Sequence, residues 1–447
     1  SAHLSPTVGI WKPELGIYSA MTYGGYNIGH TSSLSREDTL MRLPGVKPEG
    51  LMGGVQFFDG QFDDARLDVA LIRTAYEHGA VPLNYMPVVG VTREGGMIRS
   101  VTAKDKETGE EFVIRTKMVF NAAGAWVDPI RRMVDPDAST LVRVSRGSHI
   151  LLDKSFMPGD TGMLIPKTRD GRVLFAIPWH GMLLVGTTDV EQKEADFDPK
   201  VSDAEIDFMI ETASGYLEKP ITRADVKASF AGLRPLFNPQ ATGSAAKVSR
   251  EHAVIPEFGN MITVTGGKWT AYRKMAEHAM LVATLRHLIP PRLCVTKDLP
   301  IFCDPNWDHA ALEIEAEAGD AADEKVVQFA LYARDHEFAR TPEDVLFRRL
   351  RLGQMNEART NALLPKIAAA FGLPVEECCC ADEACTCEEG KCECEKAECE
   401  CKAEVCEAEV CECKAEEKAE AASVEAEKVI DVEVVEEKPA EEAEQKK

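Results

Sequence analysis

The amino-acid sequence predicts a mixed α/β (α+β) protein with an antiparallel β-rich middle, a C-terminal helical region and a disordered acidic tail. Three observations carry that expectation. The stretch Thr265-Gly266-Gly267-Lys268-Trp269-Thr270-Ala271-Tyr272-Arg273 joins an apolar strand to a helix. Alternating apolar runs follow one another between Gly147 and Asp189. From Glu376 onward the chain becomes a low-complexity repeat rich in Cys and Glu.

Residues 1–60 mix short apolar runs with Gly and Pro. Within them, Gly24-Gly25-Tyr26-Asn27-Ile28-Gly29 lacks both the spacing of a G-x-G-x-x-G fingerprint and its βαβ context, and reads as loop. Asp63 and Asp64 open a helix that sets Leu67, Ala70, Leu71 and Ala75 on one face. Val81 to Val91, Ile98 to Thr102, Glu111 to Ile114 and Met118 to Phe120 read as strands. The last runs into Asn121-Ala122-Ala123-Gly124-Ala125-Trp126-Val127-Asp128. A strand followed by small residues and a helix is where a nucleotide can lie against backbone. Ser148 to Leu152, Val173 to Ile177 and Leu183 to Asp189 alternate as strands, with Gly171 at a turn. Ser202 to Leu217 reads as a helix, with Ser202 as its cap, Glu205 three residues on and Ile206, Met209 and Ile210 apolar. Asp323 to Phe371 is helical in pieces, broken near Thr341-Pro342.

A chain of 447 residues has room for two or three domains. Residues 376–447 carry 26 Asp and Glu against 9 Lys, so this tail holds −17 of the whole chain's −23 and leaves a mildly acidic −6 elsewhere. No basic face stands out, which argues against nucleic acid as a partner. Twelve of the 14 cysteines lie between Cys378 and Cys413. Only Cys294 and Cys303 precede them, as in a reduced, intracellular protein without a disulfide framework. No run approaches the ~20 apolar residues of a membrane-spanning helix. The chain opens at Ser1 without an initiator Met, signal peptide or transit peptide, as a processed or truncated product does.

Two glycines between strand and helix let a backbone approach a ligand closely, and the N–H groups of the helix start face it together with Lys268. That suits an anionic cofactor or substrate, although a plain turn with a solvated lysine has the same residues. In the tail, cysteines recur every seven residues in C-x-C pairs, with almost no bulky apolar residue to build a core. Cys385, Cys387, Cys392, Cys394, Cys399 and Cys401 are weak thiolate candidates for Zn²⁺ or Cu⁺. An acidic tail with incidental cysteines is the plainer reading.

Several motifs occur in one order: Phe58-Asp59-Gly60-Gln61-Phe62-Asp63-Asp64-Ala65-Arg66-Leu67, Asn121 to Trp126, Arg146-Gly147-Ser148-His149-Ile150 and Ile177-Pro178-Trp179. Gly186-Thr187-Thr188-Asp189-Val190, Gly232-Leu233-Arg234-Pro235-Leu236, Ser249-Arg250-Glu251-His252 and the Gly266-Gly267 junction follow. Together they resemble FAD-dependent glycerol-3-phosphate dehydrogenase, within the D-amino-acid-oxidase-like flavoprotein superfamily. Pro166 to Val173 is most similar to the mitochondrial type, and Ala339 to Gly353 resembles that family's C-terminal helical domain. The resemblance covers roughly residues 10–375. It implies an FAD-dependent oxidoreductase domain over 1–290 with its β-rich substrate part at about 140–260, a helical domain over 291–375 and the tail over 376–447. The family also opens with a βαβ unit whose G-x-G-x-x-G cradles the FAD pyrophosphate, and residues 1–447 start after it.

The family reaction moves hydride from C2 of sn-glycerol 3-phosphate to FAD, giving dihydroxyacetone phosphate, and passes electrons to a quinone in the membrane. The resemblance places Arg234 beside the substrate and Arg250 on its phosphate, with Tyr272 also on the substrate side. An arginine, with a pKa above ~12, is a poor base, so Arg234 suits orienting and polarising the C2 oxygen. His149, with an ordinary pKa near ~6.5, suits accepting its proton. Lys268 fits the cation near flavin and substrate. Gly266, Gly267, Thr270 and Thr187 fit flavin contacts, Ala123, Gly124 and Trp126 the nucleotide side, and Val88 the adenine. Trp126 and Trp179 equally suit a core. The expected cofactor is FAD and no resident metal. The expected setting is peripheral on a bacterial cytoplasmic or mitochondrial inner membrane, otherwise cytoplasmic, with a homodimer left open. Two rivals remain: a related amine or hydroxy-acid oxidase, and an inactive truncated chain whose working part is a metal-binding thiol tail.

Overall fold

The computed structural model describes residues 31–165, 168, 173–238, 251–304, 306–307, 319–374 and 429–430. The Gly24 to Gly29 loop, Gly171, Arg250 and all the tail cysteines lie outside them. β1 (Ser32–Leu34) and β2 (Gly54–Gln56) pair antiparallel around α1 (Arg36–Arg42). α2 (Asp64–Glu77) starts where the acidic pair predicts, because the Asp63 carboxylate accepts the Arg66 N–H at 3.0 Å. Its inner face differs from the expected stripe: Thr74 is buried and Ala75 exposed. The Thr74 hydroxyl donates to the Ala70 carbonyl and accepts the Phe302 N–H, so a satisfied polar group replaces an apolar one.

β3 (Val88–Glu94), β4 (Met97–Lys104) and β5 (Glu111–Arg115) form an antiparallel meander. The strand expected from Val81 begins only at Val88. Pro82 and Pro87 have no amide hydrogen to donate, and Tyr85 is in the left-handed region at φ 57°. β6 (Val119–Asn121) leads through a 3₁₀ turn, Gly124–Trp126, into α3 (Val127–Val134).

A six-stranded antiparallel sheet follows, and β7 (Val142–Asp153) is its hub. Along one side β7 pairs with β10 (Met182–Gly186) and β11 (Val190–Gln192), and along the other with β12 (Ala228–Phe237). β9 (Leu174–Trp179) and β8 (Met163–Ile165) extend it beyond β10. The run expected to stay extended to Asp189 leaves the regular β7 ladder after Gly186, where Thr188 still bonds Ser148 of β7 through its N–H and its hydroxyl. Side chains alternate across a strand. In β7 this sets Ser148, Ile150 and Leu152 toward α4 (Asp203–Ser214) and turns Gly147 and His149 to the opposite face. Ile150, Leu152, Leu183 and Val185 pack with Met209 of α4 and with Leu43 in the largest core.

β13 (His252–Glu257) and β14 (Met261–Gly266) form a hairpin, and β14 also pairs with β6 in parallel, Met261 opposite Val119. α5 (Tyr272–Leu285) follows. A second core gathers the C-terminal helices α6 (Asp320–His336), α7 (Pro342–Leu346), α8 (Leu352–Met355) and α9 (Glu357–Phe371) around Phe329, Leu346, Leu363 and Ile367. The predicted break is where Thr341 caps α7 and Pro342 takes its first position. In the otherwise undescribed tail, β15 (Val429–Ile430) pairs in parallel with β5.

Candidate functional site

The site starts at the carboxyl ends of the parallel strands β6 and β14, where open α/β sheets place their ligands. Past β6, Asn121 is buried and its amide donates to the Val127 carbonyl at 2.9 Å, which fixes the Ala122-Ala123 turn against α3. Past β14, Gly266 and Gly267 are both left-handed, at φ 70° and 74°. A Cβ on Gly266 would stand 2.7 Å from the Glu251 carbonyl oxygen, and one on Gly267 2.8 Å from Met275 Sδ. Only glycine fits both demands. A 3₁₀ turn, Trp269–Ala271, intervenes between the glycines and α5.

A cavity of about 850 Å³ opens at this corner. Arg234, Gly266, Gly267, Lys268 and Tyr272 line it, so five predicted site residues from β12, β14 and α5 converge. The rest of its wall is mostly apolar, including Phe120, Leu233 and Met275. A smaller cavity of about 210 Å³ shares Phe120 and Ala122 with it and is lined by Val88 and Ala123. The two spaces therefore adjoin across the end of β6.

The Arg234 side chain lies where β7 makes room for it. A Cβ on Gly147 would lie 2.2 Å from the Arg234 Nη2. Its guanidinium donates from Nη1 to the Thr188 carbonyl at 3.1 Å and from Nη2 to the Thr187 hydroxyl at 2.7 Å. His149 does not line the cavity; it stacks on Phe230 with ring centroids 5.4 Å apart, and Phe230 touches Trp179. Burial first, and then the Arg234 cation, push the His149 pKa down to about 4. Its Nδ1 is buried without a hydrogen-bond partner.

Behind Arg234 sits a group that sequence reasoning took only for a helix cap. Glu205 does cap α4, accepting from the Ser202 N–H and hydroxyl at 3.1 and 2.7 Å. It also accepts from the hydroxyls of Ser148 at 2.8 Å and Thr188 at 2.7 Å and pairs with Arg146 at 2.5 Å. Burial pushes its pKa up, and the bonds from Thr188, Ser202 and Ser148 together outweigh that and bring it down to about 2. The capping pattern was legible; the partners from β7 and the Thr188 loop were not.

Other predicted residues stand apart. Gly124 and Trp126 are in the 3₁₀ turn, and Trp126 stacks on Phe197 at 4.3 Å instead of lining either cavity. Thr270 is exposed beside the cavity. No group of three or more His, Cys, Asp or Glu among the described residues is placed to hold a metal. None of the described helices is long and apolar enough to cross a membrane.

Parallel-strand ends, a glycine corner and an apolar cavity suit a nucleotide cofactor, as in the flavin-dependent oxidoreductases. Comparison agrees: the family described as FAD dependent oxidoreductase matches residues 14–283, and the chain belongs to it. FAD is the cofactor of that family. Among its relatives is the probable glycerol-3-phosphate dehydrogenase of Encephalitozoon cuniculi, 37% identical over 282 residues, which are 62% of this chain and 46% of that protein. The human mitochondrial glycerol-3-phosphate dehydrogenase is 31% identical over 385 residues, 76% of this chain and 53% of the relative. The chain thus spans about half the length of these relatives. The X-ray structure of the glycerol-3-phosphate dehydrogenase from Bacillus halodurans complexed with FAD superposes with a TM-score of 0.63. It is 27% identical and covers 77% of this chain and 76% of that one.

The residues present fit FAD. The Gly266-Gly267 backbone carries no side chain where it borders the cavity, and the apolar wall suits a flat aromatic ring. Lys268 adds a cation at the same corner.

Proposed function

We propose that the protein oxidises sn-glycerol 3-phosphate to dihydroxyacetone phosphate and delivers the electrons to a quinone. The observation that carries this reading is Arg234 in the lining of an apolar cavity that Gly266, Gly267 and Lys268 also line, with its guanidinium fixed by Thr187 and Thr188. Bound FAD supplies the hydride acceptor for the C2 hydrogen. Arg234 orients and polarises the C2 oxygen; its high pKa keeps it a donor throughout. On its acid–base chemistry alone, since it does not line the cavity, His149 is assigned the hydroxyl proton: it is neutral at pH 7, and its Nδ1 has no competing partner. A base is most effective with a pKa near the working pH, and an anionic substrate would oppose the Arg234 charge that depresses His149. Lys268 and Tyr272 hold the substrate end of the cavity. Arg250 binds the phosphate on the strength of the resemblance alone.

Gly266, Gly267, Thr270 and Thr187 serve the flavin in this reading, and Val88, Ala123, Gly124 and Trp126 the nucleotide. The oxidoreductase domain covers 1–290, its substrate part about 140–260, and the helical domain 291–375. A quinone acceptor implies peripheral attachment to the membrane that contains it, the mitochondrial inner membrane if the source resembles the mitochondrial relatives.

The test is bleaching of the flavin absorbance when sn-glycerol 3-phosphate is added anaerobically to the FAD-loaded chain. Bleaching that also requires Arg250 supports the reading. Equal bleaching by a phosphate-free amine or hydroxy acid replaces it with an oxidase, and a flavin untouched by any of them ends it. With His149 as acceptor, its own acid limb in kcat/KM lies near its pKa of about 4, below the limb that the substrate phosphate contributes at about pH 6. A His149→Gln variant with an undiminished rate would take the role away from it.

A further inference from the structure

Thr187 and Thr188, which hold Arg234, lie between the end of β10 and the start of β11. One backbone bond, from the Thr188 N–H to the Ser148 carbonyl at 3.4 Å, and side chains order them. The Thr188 hydroxyl donates to Glu205 Oε1 at 2.7 Å and accepts the Ser148 N–H at 2.9 Å. Both bonds on that oxygen fix the rotamer and with it the peptide whose carbonyl accepts from Arg234 Nη1. Ser148 is tied to the same carboxylate oxygen at 2.8 Å, so strand β7 and the loop are referenced to one atom. Oε2 meanwhile serves Ser202 and Arg146, which neutralises the charge. Glu205 is 5% exposed. A helix cap alone needs no buried carboxylate reaching a second element.

We propose that Glu205 is a positioning residue for the oxidation site, acting through Thr188 to hold the guanidinium of Arg234, which lines the cavity. The inference rests on the reading of Arg234 as the cation that orients substrate. Glu205 touches neither cavity; its effect passes through one side chain and one peptide. Misplacement of an orienting group by about 1 Å costs on the order of 10²-fold in rate.

The experiment uses Glu205→Gln in the full FAD-loaded chain. Glutamine at this position still completes a capping box, so α4 keeps its cap while the charge and one acceptor site are lost. The expected result is a fall in the rate of flavin reduction by sn-glycerol 3-phosphate of roughly tenfold to a hundredfold. The second readout is the imidazole titration of His149 by NMR, which senses the Arg234 cation without any turnover. Release of the guanidinium removes the smaller of the two causes that depress His149, burial being the larger, and so raises its pKa part of the way up from about 4. A capping role alone would not move it. If the unmutated chain shows no reduction, the proposed function fails, and the His149 titration still decides the positioning role. Should Glu205→Gln fail to fold because Arg146 loses its partner, Thr188→Val breaks the same link with the carboxylate intact. A folded variant of either kind with His149 titrating as before overturns the proposal.

Discussion

At the residue scale, Gly147 shows how close packing carries function. Its missing Cβ is the space that the Arg234 guanidinium occupies, with Nη2, Nη1 and Cζ all within 2.4 Å of where that carbon would stand. The obstructed atoms are the far end of a flexible chain, so Gly147→Ala displaces the guanidinium at little cost to the strand. The expected outcome is a melting temperature within a few degrees of the parent and flavin reduction slowed by roughly tenfold or more. A variant that melts far lower, or that keeps the full rate, contradicts this account. The Arg146 to Ile150 motif was legible in the sequence, and so was Arg234. Their contact was not, because it joins strands 87 residues apart through the register that puts Arg234 opposite Ser145. The same register sets His149 against Phe230, and the resulting burial takes its pKa far from the value its residue type suggests.

Among elements, the joint between α2 and the C-terminal helices depends on a buried ion cluster. Glu337, 3% exposed, receives both terminal nitrogens of Arg66 at 3.0 and 2.8 Å, and Arg349 Nε lies 3.2 Å from it. Nearby, Arg73 donates to Tyr332 at 2.7 Å and covers the Phe302 ring at 3.7 Å. Removing one partner of a buried pair leaves an uncompensated charge, a loss of about 3–5 kcal/mol. Glu337→Ala is therefore expected to lower the urea midpoint and to speed hydrogen exchange in α6 and α7 ahead of the six-stranded sheet. Uniform exchange across both regions would show that the cluster does not govern this joint. Local signals served well here: the caps at Asp63 and Ser202 each started a helix where the sequence put one, and the break expected near Thr341-Pro342 is where Thr341 caps the next helix. They failed where proline and a left-handed tyrosine interrupted an apolar run between Val81 and Val88. The ion cluster itself left no trace in spacing, because Arg66 and Glu337 are 271 positions apart.

For the whole molecule, the two perturbed groups behind the cavity set how the fold responds to acid. In the unfolded chain His149 takes up a proton below about pH 6.5, whereas in the folded protein it resists until about pH 4. Between those values the unfolded state binds more protons, so stability falls as pH falls. A gap of that size corresponds to about 3 kcal/mol. Glu205 acts in the adjoining window with the sign of a depressed carboxylate. Its contribution is complete above its ordinary 4.5 and is lost as pH drops toward about 2. Acid should therefore weaken the fold progressively from just below neutrality, first through His149 and then through Glu205. Denaturant midpoints at pH 7, 5.5 and 4.5 measure the first window. His149→Gln is expected to flatten it while leaving the decline below pH 4.5. An unchanged slope above pH 4.5 in that variant would mean that other histidines govern it. The coupling follows from the architecture: the neutral imidazole, the guanidinium that depresses it and the carboxylate network behind that guanidinium occupy one sheet and the helix packed on it. The chemistry of the site and the acid sensitivity of the fold consequently share the same side chains.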